Sequence, residues 1–204
     1  MKTTKKALLL ALCAVLLVVS TVFATLAYLT STTKVVTNTF TVGDIVITLD
    51  ETDVDVYGKK DGETRVLEND YKLIPGHNYT KDPTIHVEAG SEECYLFVKV
   101  TDEIAAIQDA NTVATQMAGN KWLPLSGEEG VYYLKDTIDA SKSDKDIDVP
   151  VFAYFTIKGD AEVAGYDGKT ITVQAYAVQK DGFDTAAKAW EAASATWGDP
   201  EVSQ

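Results

Sequence analysis

The stretch Cys94-Tyr95-Leu96-Phe97-Val98-Lys99-Val100-Thr101 decides the fold prediction. Leu96, Val98 and Val100 occupy every second position, and the positions between them hold two aromatic side chains and a lysine. Successive side chains of a β-strand point to opposite faces, so an apolar residue at every second position is typical of a half-buried strand. The stretch therefore predicts a strand with one face in a hydrophobic core.

Three other segments show the same alternation, and the second of them is the longest predicted strand. They are residues 84–89, 149–158 and 170–179, with inward side chains predicted at Ile85, Val87, Ala89; Val151, Ala153, Phe155, Ile157; and Ile171, Val173, Ala175, Ala177. Shorter strands are predicted at residues 45–49, 121–123 and 131–134. Residues 50–70 are acidic and are predicted to be irregular, with a hairpin tip at Lys59-Lys60-Asp61-Gly62. The dipeptide Pro75-Gly76 predicts a turn.

Two segments have helical rather than strand spacing. Within residues 102–117 the apolar positions are Ala106, Ala110, Val113 and Met117, which predicts one helix or two short ones, with Asp102 as a cap and Gly119 as the end. Near the C-terminus, Asp184 is predicted to cap a helix whose apolar stripe is Phe183, Ala187, Trp190, Ala193 and Trp197.

The order of these elements predicts the fold class. Many short strands separated by turn signals indicate a mainly β protein, an antiparallel β-sandwich with an inserted helical segment and a C-terminal helix. No repeat or linker divides the chain after residue 27. We therefore expect one domain over residues 28–204.

The N-terminus has the pattern of an export signal. Residues 1–6 contain three lysines, residues 7–27 are almost entirely apolar, and small residues stand near Ala24 and Ala27. Residues 1–27 are therefore predicted to be a signal peptide that is removed, which makes the mature protein secreted, extracellular or displayed at the cell surface. The apolar run also reaches the length of about 17–25 residues that spans a membrane, so the alternative is a retained anchor.

Charge excludes some classes of partner. The chain has 18 basic and 31 acidic residues, and removing the three signal lysines leaves 15 and 31, a net charge near −16. Such a surface repels nucleic acid and anionic lipid, so contact with the membrane is expected only through the signal segment. Cys94 is the single cysteine after residue 27, which leaves no partner for an intramolecular disulfide, and it is predicted to be a buried thiol.

No catalytic motif is present in the sequence, and no cofactor, metal or catalytic residue is predicted. His77 and His86 are interpreted as surface residues rather than ligands. The acidic runs at residues 50–55 and 144–148 could supply oxygen ligands to calcium, but the solvated face of a strand is the favoured interpretation. Six tyrosines could line a ligand surface, although packing is favoured for them: Tyr57, Tyr71, Tyr79, Tyr132, Tyr133 and Tyr166.

A family resemblance adds to this interpretation. The junction Thr25-Leu26-Ala27-Tyr28-Leu29-Thr30, with Val36-Thr37-Asn38-Thr39-Phe40-Thr41-Val42-Gly43-Asp44-Ile45 after it, resembles the SipW-type class of exported proteins. A dedicated signal peptidase processes that class, whose best-known members form the TasA and camelysin family of biofilm-matrix fibre proteins. Three further pieces are similar: Leu73-Ile74-Pro75-Gly76 with Lys81-Asp82-Pro83, Tyr95-Leu96-Phe97-Val98-Lys99-Val100, and Ala175-Tyr176-Ala177-Val178-Gln179 with Phe183 and Ala186-Ala187-Lys188-Ala189-Trp190. Residues 102–148 match nothing in the family.

The resemblance implies a jelly-roll-like sandwich whose N-terminal strand complements the next subunit of a fibre. It places signal cleavage after Ala27 or Tyr28, and it makes Leu29-Thr30-Ser31-Thr32-Thr33-Lys34-Val35-Val36 the donor strand. The implied partners are other copies of the chain and the dedicated signal peptidase. Protease activity, described for camelysin relatives, is not expected because the histidine motif for a catalytic metal is absent from the sequence. The alternative function is a monomeric or membrane-anchored adhesin or accessory binding module.

Overall fold

Ten strands and two α-helices make up the part of the chain that the structure, a computed structural model, describes, residues 43–195. The strands are β1 Ile47–Val54, β2 Lys60–Val66, β3 Asn78–Thr80, β4 Thr84–Val87, β5 Cys94–Asp102, β6 Trp122–Pro124, β7 Val131–Leu134, β8 Ile147–Pro150, β9 Tyr154–Thr156 and β10 Ile171–Gln179. The helices are α1 Val113–Gly119 and α2 Ala186–Ser194, and short 3-10 turns occur at Ala105–Ile107 and Ala164–Tyr166.

The strands form two four-stranded antiparallel sheets and one small pair. The first sheet has the order β2-β1-β4-β8, the second β10-β5-β7-β6, and β3 pairs with β9. Non-consecutive neighbours in both large sheets show that the chain crosses repeatedly between the layers. The predicted mainly β sandwich with an inserted helical segment and a C-terminal helix is therefore confirmed.

Strand β5 is central to both hydrophobic clusters. Its inward side chains, Leu96 and Val98, are fully buried together with Ile85 and Val87 of β4, as their alternation predicts. Its opposite face is covered as well, because the ring of Phe97 lies 5.1 Å from the ring of Trp190 on α2. β5 therefore carries apolar residues on both faces because the core covers one face and the C-terminal helix covers the other.

The predicted strand at residues 149–158 is wrong in its extent. The segment divides between β8 of the first sheet and β9 of the small pair. Val151 and Phe152 between them are both buried, whereas Ala153, predicted inward, is exposed. A chain that crosses between two sheets buries consecutive residues, so the period of two breaks at the crossing. The longest strands are β5 and β10, with nine residues each.

The hairpin between β1 and β2 turns earlier than predicted. The Asp55 carboxylate accepts hydrogen bonds from the backbone N–H groups of Tyr57 at 3.0 Å and Lys59 at 2.9 Å. This side-chain-to-backbone bonding fixes the turn over residues 55–59, and β2 begins at Lys60. Residues 50–70 are therefore largely strand rather than irregular, and Gly62 lies inside β2 instead of at the tip.

The inserted helical segment consists of two short pieces, one of the two predicted forms. Helix α1 ends at Gly119 as predicted and buries Val113 and Met117. Ala106 and Ala110, predicted to share that face, are exposed because they precede α1. The cap of α1 is Thr112, whose hydroxyl accepts from Thr115 N–H at 3.2 Å. Asp102, the predicted cap, instead accepts a hydrogen bond from the backbone N–H of Ile104 at 3.1 Å, just before the 3-10 turn.

The C-terminal helix is present and packs largely through its predicted stripe, but its cap is one residue later than predicted. Thr185, not Asp184, accepts the capping hydrogen bond from Lys188 N–H at 3.3 Å. The buried residues are Ala186, Ala189 and Trp190, and Ala187 is exposed. Trp190 of the predicted stripe is buried, and Phe183 and Ala193 pack partly buried on the same cluster, so Ala187 alone among the described stripe residues departs from the prediction. Trp197 lies outside the described residues.

Gly130 provides a test of packing at the start of β7. Its φ is +72°, and a Cβ there would lie 2.8 Å from the carbonyl oxygen of Val100. Gly127 has a similar φ of +91°, but a Cβ there would meet nothing within 4 Å. Gly130→Ala should lower the free energy of unfolding by about 2–4 kcal/mol, and Gly127→Ala by only about 1 kcal/mol. Urea unfolding measures both, and equal losses would contradict the packing around Gly130.

Candidate functional site

An open groove runs between the two large sheets, where β1 and β10 face each other. We call it the β1–β10 groove, a space of about 1110 Å³. Its apolar lining includes residues from both strands, from β9 and from two connecting segments: Ile47, Leu49, Tyr71, Leu73, Phe155, Val163, Tyr166, Ile171, Val173 and Ala175. Most of these side chains pack on the core yet are only partly buried. The groove is therefore a part of the sandwich interior that the described residues leave uncovered.

The outer edge of β10 has no neighbouring strand among residues 43–195. Glu103 N–H donates to Thr170 O at 3.0 Å, and Lys180 N–H donates to Glu93 O at 2.8 Å. The even-numbered residues of this segment therefore point their backbone N–H and C=O groups toward β5. In an antiparallel pair of strands, the residues between these even-numbered ones point their backbone N–H and C=O groups away from the partner strand. Five residues of β10 therefore present N–H and C=O groups at the open edge: Ile171, Val173, Ala175, Ala177 and Gln179.

The first half of β1 has a similar open side. Glu88 N–H donates to Val46 O at 3.0 Å, and β4 pairs with residues 47–50. On the other side of β1, pairing with β2 begins only at Glu51. The backbone groups of Ile47 and Leu49 therefore face the groove side without a paired strand among the described residues. Two unpaired edges thus flank one apolar groove.

The rim of the groove is polar and mostly acidic. Glu68, Asp70 and Asp167 line it and form no ion pair among the described residues, and Lys72 lies with them. Leu67 at the mouth is 86% exposed, which is unusual for a leucine. The rim therefore combines negatively charged side chains with one highly exposed apolar side chain, that of Leu67.

One end of the groove holds a buried polar cluster, the Glu51–Asn69–Lys81 cluster. Lys81 Nζ lies 2.7 Å from Glu51 Oε2, and their side chains are only 11% and 5% exposed. The Asn69 amide donates to Glu51 Oε1 at 2.9 Å. Tyr71 covers the cluster, with Lys81 Nζ 6.0 Å from its ring centre, and burial together with Glu51 and Asp82 raises the pKa of the Tyr71 hydroxyl.

A second polar network joins all four strands of the first sheet, since Asp148 lies on β8 and Asp50 on β1. His86 on β4 is hydrogen-bonded through Nε2 to Asp50 at 2.9 Å and through Nδ1 to Asp148 at 2.6 Å. Arg65 on β2 is paired with Asp50 and lies 3.4 Å from Asp82. Partial burial alone lowers the pKa of His86, but the two carboxylates raise it above its ordinary value. Burial likewise raises the pKa of Asp50, but Arg65 and His86 hold it below its ordinary value.

The prediction that both histidines are surface residues is incomplete, because the side chain of each is hydrogen-bonded to another part of the chain. His86 is 20% exposed and links β1 to β8 through its two carboxylate partners. His77 is bonded through Nε2 to Tyr57 O at 2.9 Å. A sequence signal for His86 was available, because Asp148 and His86 stand at opposed positions of two alternating segments that pair directly.

The acidic runs considered for calcium are engaged in other contacts. Asp50 and Glu51 pair with Arg65, His86 and Lys81, and Asp146 accepts a hydrogen bond from Ala89 N–H at 3.0 Å. Within residues 43–195 no group of three or more His, Cys, Asp or Glu side chains could hold a metal ion. Asp50, Glu51 and Asp146 therefore each make contacts within or beside the first sheet.

The six tyrosines do not form one surface. Tyr71 and Tyr166 line the groove, Tyr79 is fully buried in a stack with Phe155 at 4.8 Å, and Tyr57 is exposed at the hairpin. Tyr132 and Tyr133 belong to β7. Tyr79 therefore has a packing role. The groove was not predicted from the sequence, because the strands that form it, β1 and β10, are far apart along the chain.

Cys94 is buried as predicted. It is 0% exposed, and burial with the nearby Glu93 carboxylate raises the thiol pKa to about 11. A thiol with so high a pKa is largely protonated at neutral pH, which is typical of an inert structural cysteine.

The residues named for processing and strand donation lie outside the described part of the chain. These are Ala27 and Tyr28 at the predicted cleavage junction and residues 29–36 of the predicted donor strand. The apolar run at residues 7–27 lies outside it too. Within residues 43–195, no helix has the length and apolar character needed to cross a membrane.

The His86 network predicts a pH dependence. A histidine pKa raised by folding stabilises the protein fully below its unfolded pKa of about 6.5, and this contribution is lost as pH rises through the folded pKa. Asp50, whose pKa is lowered, remains charged at pH 5.5. His86→Gln should therefore destabilise the protein by roughly 1 kcal/mol more at pH 5.5 than at pH 8.5.

Urea unfolding of both proteins at the two pH values measures this difference. The control is His77→Gln, which removes a histidine whose bond goes to a carbonyl rather than to carboxylates. An equal loss at both pH values for His86→Gln would show that the histidine is not held charged by Asp50 and Asp148.

No protein-family model, curated protein or solved structure matches this chain.

Proposed function

We propose that this protein is an exported structural subunit whose β1–β10 groove receives an extended segment from a second copy. The observation that carries the proposal is the open, nine-residue edge of β10 beside an apolar groove. A strand placed there would satisfy the outward backbone groups of β10 and cover side chains that are now half exposed. We propose no enzymatic activity for it.

Residues 29–36 are the proposed donor. The segment Leu29-Thr30-Ser31-Thr32-Thr33-Lys34-Val35-Val36 is rich in β-branched residues and contains no proline. At about 3.3 Å per residue its eight residues span about 26 Å as a strand, close to the length of β10. Cleavage near Ala27 or Tyr28 by a dedicated signal peptidase would release this segment as a free N-terminus.

Charge supports the same pairing. Two copies with a net charge near −16 each repel one another at long range. The donor carries one charged side chain, Lys34, and the groove lining carries five carboxylates against three lysines, a net negative charge. The contact between a cationic segment and an acidic rim therefore opposes the general repulsion at the one place where the copies meet.

Proline substitution at the open edge tests the proposal. Ala175→Pro removes an N–H group that faces away from β5, and edge strands tolerate such a proline. The mature variant should keep the circular dichroism of the folded monomer yet form no filaments by electron microscopy. The matched control is Ala175→Ser, which retains the N–H group and should assemble like the unmodified protein.

Deletion of residues 29–36 tests the donor side. The deleted protein should remain a folded monomer, and when it is added to the unmodified mature protein it should cap filaments rather than extend them. Filaments of unchanged yield from either the deletion or Ala175→Pro would overturn the proposal of strand donation into this edge.

The second candidate function is a monomeric or membrane-anchored adhesin or accessory binding module. Exposed Leu67 at the mouth and the groove volume of about 1110 Å³, slightly above the usual range for small-ligand sites, favour it. In that case the groove binds a segment of a different protein, and the purified mature chain stays monomeric at every concentration in sedimentation analysis.

A further inference from the structure

The Glu51–Asn69–Lys81 cluster brings an amine, a carboxylate and a carboxamide together in one buried place. Both nitrogen atoms, Nζ of Lys81 and Nδ2 of Asn69, are hydrogen-bonded to the same Glu51 carboxylate, at 2.7 Å and 2.9 Å. The three residues come from β1, from the segment after β2 and from the link between β3 and β4. Folding thus brings an amine and a carboxamide to the two oxygens of one carboxylate, which can accept a proton from either.

We propose that Lys81 and Asn69 join in an intramolecular isopeptide bond, with Glu51 as the catalytic acid and base. This inference concerns the covalent state of the domain, and it holds whether or not the groove accepts a strand.

The reaction needs no reagent beyond these three residues. One proton passes from the Lys81 ammonium to the Glu51 carboxylate, and the neutral amine attacks Cγ of Asn69. A bond forms between Nζ and Cγ, the bond between Cγ and Nδ2 breaks, and Glu51 returns the proton to the departing nitrogen. The second proton lost by Nζ also goes to that nitrogen, so an ammonium and a carboxamide become one secondary amide and one ammonium ion.

Hydrogen bonds hold the Asn69 carboxamide in the orientation that attack requires. The backbone N–H of Val54 donates to Asn69 Oδ1 at 2.9 Å, and Asn69 Nδ2 donates to Thr52 O at 2.9 Å. Negative charge develops on Oδ1 when the amine adds to Cγ. The Val54 N–H therefore stabilises that oxygen as the donor of an oxyanion hole does.

The cluster is largely screened from water. Glu51 is 4% exposed as a residue, and the Tyr71 ring lies over Lys81 Nζ at 6.0 Å. Few water molecules can therefore reach the three side chains or compete for the hydrogen bonds between them. Limited access of water also protects the carboxamide from hydrolysis.

The bond would supply a covalent constraint that cysteine cannot provide here. Cys94 is the single cysteine after residue 27, so the mature chain has no intramolecular disulfide. A Lys81–Asn69 link would tie the segment after β2 to the start of β4, at the end of the open groove. The cross-link would thus hold in place the part of the sandwich whose strand edges are least supported.

Intact-mass spectrometry of the mature protein tests the proposal directly. The measured mass should be lower than the sequence mass by one molecule of ammonia, and proteolysis should yield a branched peptide containing both Lys81 and Asn69. A protein at the full sequence mass, with Lys81 and Asn69 recovered in separate linear peptides, would overturn the proposal without any variant.

Two variants assign the roles. Lys81→Arg keeps a cation for Glu51 but removes the nucleophile, and Glu51→Gln keeps the side-chain shape but removes the base. Both should show the full mass, while the control Lys72→Arg, an exposed lysine at the same groove, should keep the loss of ammonia. Retention of the ammonia loss in folded Lys81→Arg would also contradict the proposal, because the loss would then come from another asparagine.

Discussion

The antiparallel pairing of β5 with β10 is the interaction on which the rest of the structure depends. Nine residue pairs join the strands, from Asp102 with Ile171 to Cys94 with Gln179. This pairing directs Leu96, Val98 and Val100 toward the first sheet and Phe97 toward α2, so it builds both hydrophobic clusters at once. It also uses only one edge of β10, and the other edge is left beside the groove.

The sequence predicted well those strands in which one face is buried along the whole length. Strands β4 and β5 bury their predicted inward residues because each stays within one sheet, whereas the predicted inward face of β10 is only partly buried because it lines the open groove. The prediction failed where the chain changes sheets, as at Val151 and Phe152, since both faces of the chain are covered at the crossing. Helix caps were misplaced by one or more residues because neighbouring polar residues, such as Asp184 and Thr185, have nearly equal capping propensity.

The groove and its polar cluster could not be predicted from local patterns. Glu51, Asn69 and Lys81 are brought together only by the pairing of β1 and the return of the chain through β3. One signal was present in the sequence, because Glu51 continues the inward alternation of Ile47 and Leu49. A carboxylate at an inward position demands a buried partner, and Lys81 supplies it.

The central claim is that the open edge of β10 pairs with a strand when the protein assembles, and residue-resolved amide hydrogen exchange tests it most directly. Even-numbered residues such as Gln174 are already bonded to β5, so their amides should exchange slowly in both monomer and assembly. The amides of Ile171, Val173 and Ala175 should exchange quickly in the monomer and at least about tenfold more slowly in the assembled mature protein. Equal exchange at these odd-numbered residues in the two states would contradict the account.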